Sequence, residues 1–290
     1  MKKGFTLVEL LAVIAVLAII LLIAIPQIIS TINDTKKAAF KKDESMIDKA
    51  AINYLAANLS YIPANVGNTT TVLYSDLNIG GSISTIIDQN NGSECLKSKV
   101  IVTKQADGTL KYVPGIICDN YISIDSFDML GGSGKFATDS NSDGLADGIA
   151  NGNATSFSLS NGIQKFTAVS QWGCITKENL PFAIGDIFYG YAYVKSNSNQ
   201  TGLQIGDGDG VPAGMQWHTG NNTFEFMSAS YTANASLGGS ANGIRVRSWL
   251  TSSWPEIEVK QMFMFNLTSI YGAGSEPTKA QMDALILKSM

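Results

Sequence analysis

Residues 5–32, FTLVELLAVIAVLAIILLIAIPQIISTI, form an apolar run of about 28 residues with one formal charge, Glu9. About 20 apolar helical residues cross a bilayer core, so the run is long enough to span one. A secretory signal has an apolar core of about 7–15 residues followed by a small-residue cleavage site. This run is longer, and Ser30–Thr31–Ile32 is no such site. A simple anchor, in turn, gives no reason for a carboxylate at Glu9, because an ionisable group inside a membrane is costly and implies a partner. Pro26 removes a backbone donor within the run and is expected to bend the helix.

The segment Met1-Lys-Lys-Gly-Phe-Thr-Leu-Val-Glu-Leu10 resembles the leader of type IV prepilins and of the related pseudopilins. The resemblance implies cleavage between Gly4 and Phe5 by a prepilin peptidase, followed by N-methylation of Phe5. Glu9 matches the family's acidic residue, which could pair with the Phe5 ammonium of a neighbouring subunit. Pro26 falls where pilin helices commonly kink. The implied life history is a single-pass membrane precursor that becomes an extracellular pilus subunit, with other pilin subunits as partners. Basic residues favour the opposite orientation, since Lys2 and Lys3 precede the run while Lys36, Lys37, Lys41 and Lys42 follow it. The leader motif takes precedence.

Residues 33–60 continue as a helix. Phe40, Ile47, Ala51, Tyr54, Leu55 and Leu59 recur at helical spacing and form one apolar stripe, to be covered by a sheet. The helix is expected to stop near Pro63. Asp107-Gly108, between the alternating runs 99–102 and 109–113, predicts a β-hairpin. Residues 100–121 are similar to the small antiparallel sheet of pilins from Gram-positive bacteria. Of three cysteines, Cys95 and Cys118 flank this hairpin and are the favoured disulfide pair, given an oxidising compartment. Cys174, beside Trp172, is left over and expected to be packed.

Composition changes after Ser126, where Gly, Ser, Asn and aromatic residues accumulate. Short alternating runs at 155–159, 163–169, 187–194, 201–205, 223–227, 243–249 and 257–267 predict a β-sandwich, with a helix only at 277–287. The fold class is therefore α+β: a long N-terminal helix packed on a small antiparallel sheet, followed by an all-β, jelly-roll-like sandwich. The expected divisions are a leader at 1–4, an assembly helix at 5–32, a pilin body at 33–125 and a sandwich domain at 126–290. Asp139-Ser-Asn-Ser-Asp-Gly-Leu-Ala-Asp147 and Phe265-Asn-Leu-Thr-Ser-Ile-Tyr-Gly-Ala-Gly-Ser-Glu-Pro-Thr278 resemble opening and closing motifs of carbohydrate-binding modules in Gram-positive bacteria and their phages. That resemblance implies a glycan as partner.

Two site readings follow. Asp139, Asn141, Asp143 and Asp147, with Gly144 at the turn, have the spacing of a calcium loop, but Ala150 stands where an EF-hand places its closing Glu. The same residues also suit an Asx-rich turn, so calcium remains a candidate cofactor. Gly206–Gly210 reads as a tight turn. A sugar site needs an aromatic face for the C–H groups of a pyranose and polar groups for its hydroxyls. Of Trp172, Trp217, Trp249 and Trp254, the better surface candidates are Trp217, with His218 beside it, and Trp254. Arg245 and Arg247 alternate on one strand face, free to reach one ligand or to pair with Glu256 and Glu258.

A net charge of −4, without a basic block, gives no reason to expect a nucleic-acid partner. His218 is the one histidine, and no nucleophile elbow, metal-ligand cluster or phosphate-binding loop surrounds it. The leading expectation is thus a non-catalytic minor or tip pilin carrying a glycan-binding adhesive domain. The alternatives are a pseudopilin of a secretion or DNA-uptake machine and a pilus-displayed glycan-active enzyme.

Overall fold

The computed structural model describes residues 7–79, 83–206, 214–234 and 242–290, with the backbone alone at 23, 26, 27, 29 and 30. The expected processing residues Gly4 and Phe5, and the expected turn at 207–210, lie outside the described residues. The chain divides into two compact units, Met1–Asp119 and Asn120–Met290.

In the first unit, helix α1 (Leu7–Ala57) has 51 residues and runs through position 26. At 1.5 Å per residue it is about 77 Å long. Its two halves differ in what covers them. Leu7, Val8, Leu11, Ile14, Leu17 and Leu22 are all more than half exposed, whereas Phe40, Ile47, Ala51 and Leu55 are buried. Among the described residues no helix is long and apolar enough to cross a membrane. Side chains of the apolar run are described without a break from 7 to 22.

The buried half of α1 packs on an antiparallel sheet of β1 (Thr69–Leu73), β2 (Lys99–Lys104) and β3 (Leu110–Gly115), in the order β1-β2-β3. Val72, Val100 and Val102 lie across from one another or two apart in this register and complete the core. The β2–β3 hairpin turns at Gly108, whose φ of 83° suits glycine, while Asp107 Oδ1 accepts from Thr109 N at 2.9 Å. The stripe expected on the helix fails at Leu59, which is 70% exposed. The helix has already ended at Ala57, and Leu59 sits in a 3₁₀ turn that breaks the 3.6-residue period.

Short helix α2 (Tyr74–Leu77) follows β1, and its Tyr74 hydroxyl donates to Glu94 Oε1 at 3.1 Å. Cys95 and Cys118 form a disulfide with a Cα–Cα distance of 4.4 Å and a sequence separation of 23. It holds the strand-poor segment before β2 to the chain leaving β3.

The second unit is a sandwich of two five-stranded antiparallel sheets with a jelly-roll-like alternation of strands between them. It begins with α3 (Ile124–Phe127) and a 3₁₀ turn at Ser133–Lys135. Then follow β4 (Ala150–Gly152), β5 (Ala154–Ser160), β6 (Ile163–Ala168), β7 (Cys174–Lys177), β8 (Ile187–Ser196), β9 (Thr201–Ile205), β10 (Gly214–Trp217), β11 (Phe224–Thr232), β12 (Ile244–Ser248) and β13 (Glu256–Asn266). One sheet runs β10-β9-β12-β7-β4 and the other β11-β8-β13-β6-β5. Their facing sides form the core, which includes Phe166, Ile175, Val194, Leu203, Met227, Val246 and Val259. Helices α4 (Leu267–Tyr271) and α5 (Lys279–Ser289) close the chain. Thr278 and Gln281 form a capping box at the start of α5, and the Tyr189 hydroxyl donates to Asp283 Oδ1 at 2.8 Å.

Residues 120–125, expected in the first body, belong to this second unit. Ser289 of α5 accounts for that placement: its Oγ accepts from Ile122 N at 3.1 Å, and Ile122 is fully buried. The composition shift at Ser126 marks a change in residue type and misses the docked residues just before it.

The disulfide closes a loop whose loss from the unfolded state is worth about 3 kcal/mol. Replacing both Cys95 and Cys118 by Ser in the detergent-solubilised protein is therefore expected to lower the melting temperature of the first unit by several degrees. Differential scanning calorimetry checks this, and the second-unit transition should stay in place.

Candidate functional site

The outward side of sheet β10-β9-β12-β7-β4 gathers most of the chemistry. Strand alternation sends Leu203, Ile205, Ile244 and Val246 into the core and leaves the residues between them on the other face. The register then sets Trp217 opposite Gly202, Gly202 opposite Arg247, and Arg247 opposite Cys174. Beside that row runs a second one, Met215, Gln204, Arg245 and Thr176. Two loops add tryptophans: Trp172 donates its backbone N–H to Ser248 O, and Trp249 donates to Gln200 O, each at 2.9 Å.

Three indoles meet here. Trp249 lies edge-on to Trp217, with ring centroids 4.5 Å apart, and edge-on to Trp172 at 5.6 Å. The outer two stay open to solvent, Trp217 at 42% and Trp172 at 43%. The Arg247 guanidinium sits 5.2 Å from the ring centroids of both Trp172 and Trp249, and its Nη1 donates to Gln204 Oε1 at 2.8 Å. Two cation–π contacts and a fixed amide thus hold one planar cation. Glycine at 202 makes room: a Cβ there would stand 3.0 Å from Trp249 Cζ3. Trp172 has φ 77°, a conformation that a bulky residue adopts only when its surroundings impose it.

The floor beneath the rings is polar and sheltered. Arg245, Arg247 and Gln204 are all buried. Arg245 Nη2 donates to Glu178 Oε1 at 3.0 Å, and Thr176 Oγ1 bonds the same oxygen at 3.2 Å. The alternative pairing of these arginines with Glu256 and Glu258 does not occur. Lys165 holds Glu256 at 2.7 Å and Lys195 holds Glu258 at 2.9 Å, on the opposite sheet. Cys174 is buried beside Arg247, and burial pushes its thiol pKa up while the two arginines pull it the other way.

Of the residues singled out in the sequence, Trp217, Arg245 and Arg247 come together on this face. His218 does not present its ring there: it is buried, and both ring nitrogens are engaged inside the following turn. Trp254 is half-buried on the loop before β13, off the row of three rings. Trp172, Trp249, Gln204 and Glu178 are the additions. Their common face depends on pairings between strands that are distant in the chain, which no local pattern reports.

The Asp139 loop is bonded to itself. Asp139 accepts from Asp143 N and Gly144 N, Asp143 from Leu145 N, and Asp147 from Ser140 N and Oγ. Asn141 bonds Asp143 through side chain and backbone. Among the described residues no group of three or more His, Cys, Asp or Glu is arranged to hold a metal ion.

Residues 1–25 match the prokaryotic N-terminal methylation motif. No curated protein matches the chain. Among solved structures, a point mutant of a family 29 carbohydrate binding module is 10% identical, covers 43% of this chain and 85% of its own, and has a TM-score of 0.31. A structure described as CBM4 is 8% identical, with coverages of 47% and 98% and a TM-score of 0.33. A family 29 module from Piromyces equi is 18% identical, with coverages of 42% and 83% and a TM-score of 0.28. Likenesses this distant define no ligand. The chain thus bears a prepilin-type N-terminus and a β-sandwich with an aromatic, arginine-floored face.

Replacing Arg247 by Lys keeps the charge but loses the planar stack and the bond to the Gln204 amide. The expected cost is about 2 kcal/mol, from two cation–π contacts and one hydrogen bond. It is measured as a lower urea midpoint for the second unit.

Proposed function

We propose that this protein is a minor or tip subunit of a Gram-positive-type pilus that displays a non-catalytic glycan-binding domain. The observation carrying the glycan part is the row Trp217–Trp249–Trp172, two of whose indoles are open to solvent over a polar floor. An exposed indole face covers the C–H side of a pyranose, and nearby amide, carboxylate and guanidinium groups suit its hydroxyls. Three rings in a row favour an oligosaccharide over a single sugar.

The methylation motif supports the filament part. So does α1, whose first half carries Glu9 among exposed apolar side chains. In this reading the precursor sits in the membrane, the peptidase cuts after Gly4, and the segment from Phe5 to Leu22 packs against other pilin subunits. A sandwich of this size suits an occasional subunit better than one repeated along a shaft. The self-bonded Asp139 loop has a structural role, without calcium.

A glycan array probed with the detergent-solubilised protein tests the reading. Binding should survive a calcium chelator and fall at least about tenfold in Trp217→Ala and in Trp172→Ala, with Trp254→Ala unchanged. Binding only to DNA or to secretion substrates would point to the pseudopilin. Sugar release abolished by a carboxylate substitution would point to an enzyme. Loss of binding in chelator, restored by calcium, would return the Asp139 loop to the role of a metal site.

A further inference from the structure

His218 directly follows Trp217, the last residue of the short edge strand β10, which has one neighbour in its sheet, β9. The turn after it, residues 218–223, therefore fixes the outer end of the strand that carries Trp217. That turn is built around the histidine ring. Gly220 N donates to His218 Nδ1 at 2.8 Å, so Nδ1 bears no proton, and Nε2–H donates to Thr223 O at 3.0 Å. His218 N donates to Thr201 O at 2.9 Å, tying the turn to the start of β9.

Gly220 packs closely on the β8–β9 turn, since a Cβ there would lie 2.9 Å from Asn199 N. Thr219 N and Oγ1 both donate to the Glu225 carboxylate, whose Oε1 is 3.8 Å from His218 Nε2. The β8–β9 turn and β9 meet residues 218–220 through the neutral Ser198, Asn199 and Thr201. Among the described residues Glu225, from β11, is the charged side chain within salt-bridge reach of the ring. Lys195 of β8 is bound to Glu258 on the outward face of the other sheet.

We propose that His218 is a positioning residue for the Trp217 platform, and that its protonation releases the platform and makes glycan capture weaker in acid. The neutral ring offers Nδ1 as an acceptor to Gly220. The imidazolium offers N–H at both nitrogens, so Gly220 N–H then faces another donor and their bond breaks. The turn then loses its internal support, and Trp217 loses the fixed end of its strand. The glycan part of this inference rests on the proposed function, but the switch itself is readable without any glycan.

The test uses the full chain in detergent, labelled with ¹⁵N-glycine, from pH 7.5 to 5. The Gly220 amide should shift as His218 titrates, and its exchange, corrected for the intrinsic pH dependence, should speed up about tenfold. Acrylamide quenching of tryptophan emission should rise over the same interval. Retention on the glycan array should fall about tenfold between pH 7.5 and 5. His218→Asn supplies a non-titrating acceptor to the N–H two residues on, as an Asx turn does, and should make all three readouts flat.

A Gly220 signal and quenching that stay constant in the wild type would overturn the switch, as would the same acid response in His218→Asn. An array silent at every pH would overturn the glycan reading alone, since the amide and quenching data would still decide the switch.

Discussion

One helix with two unlike halves governs the chain. From Phe40 to Leu55 the apolar stripe of α1 is buried under its own sheet. From Leu7 to Leu22 the helix is apolar on every side apart from Glu9, and its large side chains stand exposed. A surface of that kind is unfavourable in water and demands cover, from lipid or from other helices. In the first unit a three-stranded sheet covers the C-terminal half of that helix. The disulfide between Cys95 and Cys118 compensates for the sheet having only three strands.

The second unit has its own core and its own logic. Its inner faces are filled by aliphatic and aromatic side chains, while one outer face is covered by α5 and the other carries the tryptophan row. Arg247 links that row to the sheet. Its guanidinium touches two indoles and the Gln204 amide, so the ring positions depend on a side chain anchored in a strand. A loop tryptophan without such an anchor would lose more conformational freedom on meeting a ligand.

Much of the architecture was legible because it is encoded locally. The Asp107-Gly108 turn announces its hairpin, and the alternating runs from 155 onward mark most sandwich strands. Strand β7 escaped because three of its four residues are buried, which removes the alternation, and β10 because it is only four residues long. The site was half legible. Trp217, Arg245 and Arg247 could be chosen by type and neighbourhood, whereas Trp172 and Trp249 join them through pairings of β12 with β7 and β9. His218 misled for a physical reason: a histidine beside an exposed tryptophan reads as surface, yet its ring is used inside the turn.

The central claim is that one face of the sandwich, and one row of rings on it, meets a glycan. The direct measurement is a titration of the protein with the strongest array ligand, following the indole N–H resonances of its four tryptophans. The account predicts saturable shifts for Trp217, Trp249 and Trp172 with a common midpoint, and an unmoved Trp254. Shifts confined to Trp254, or a bound glycan that moves none of the three, would contradict it.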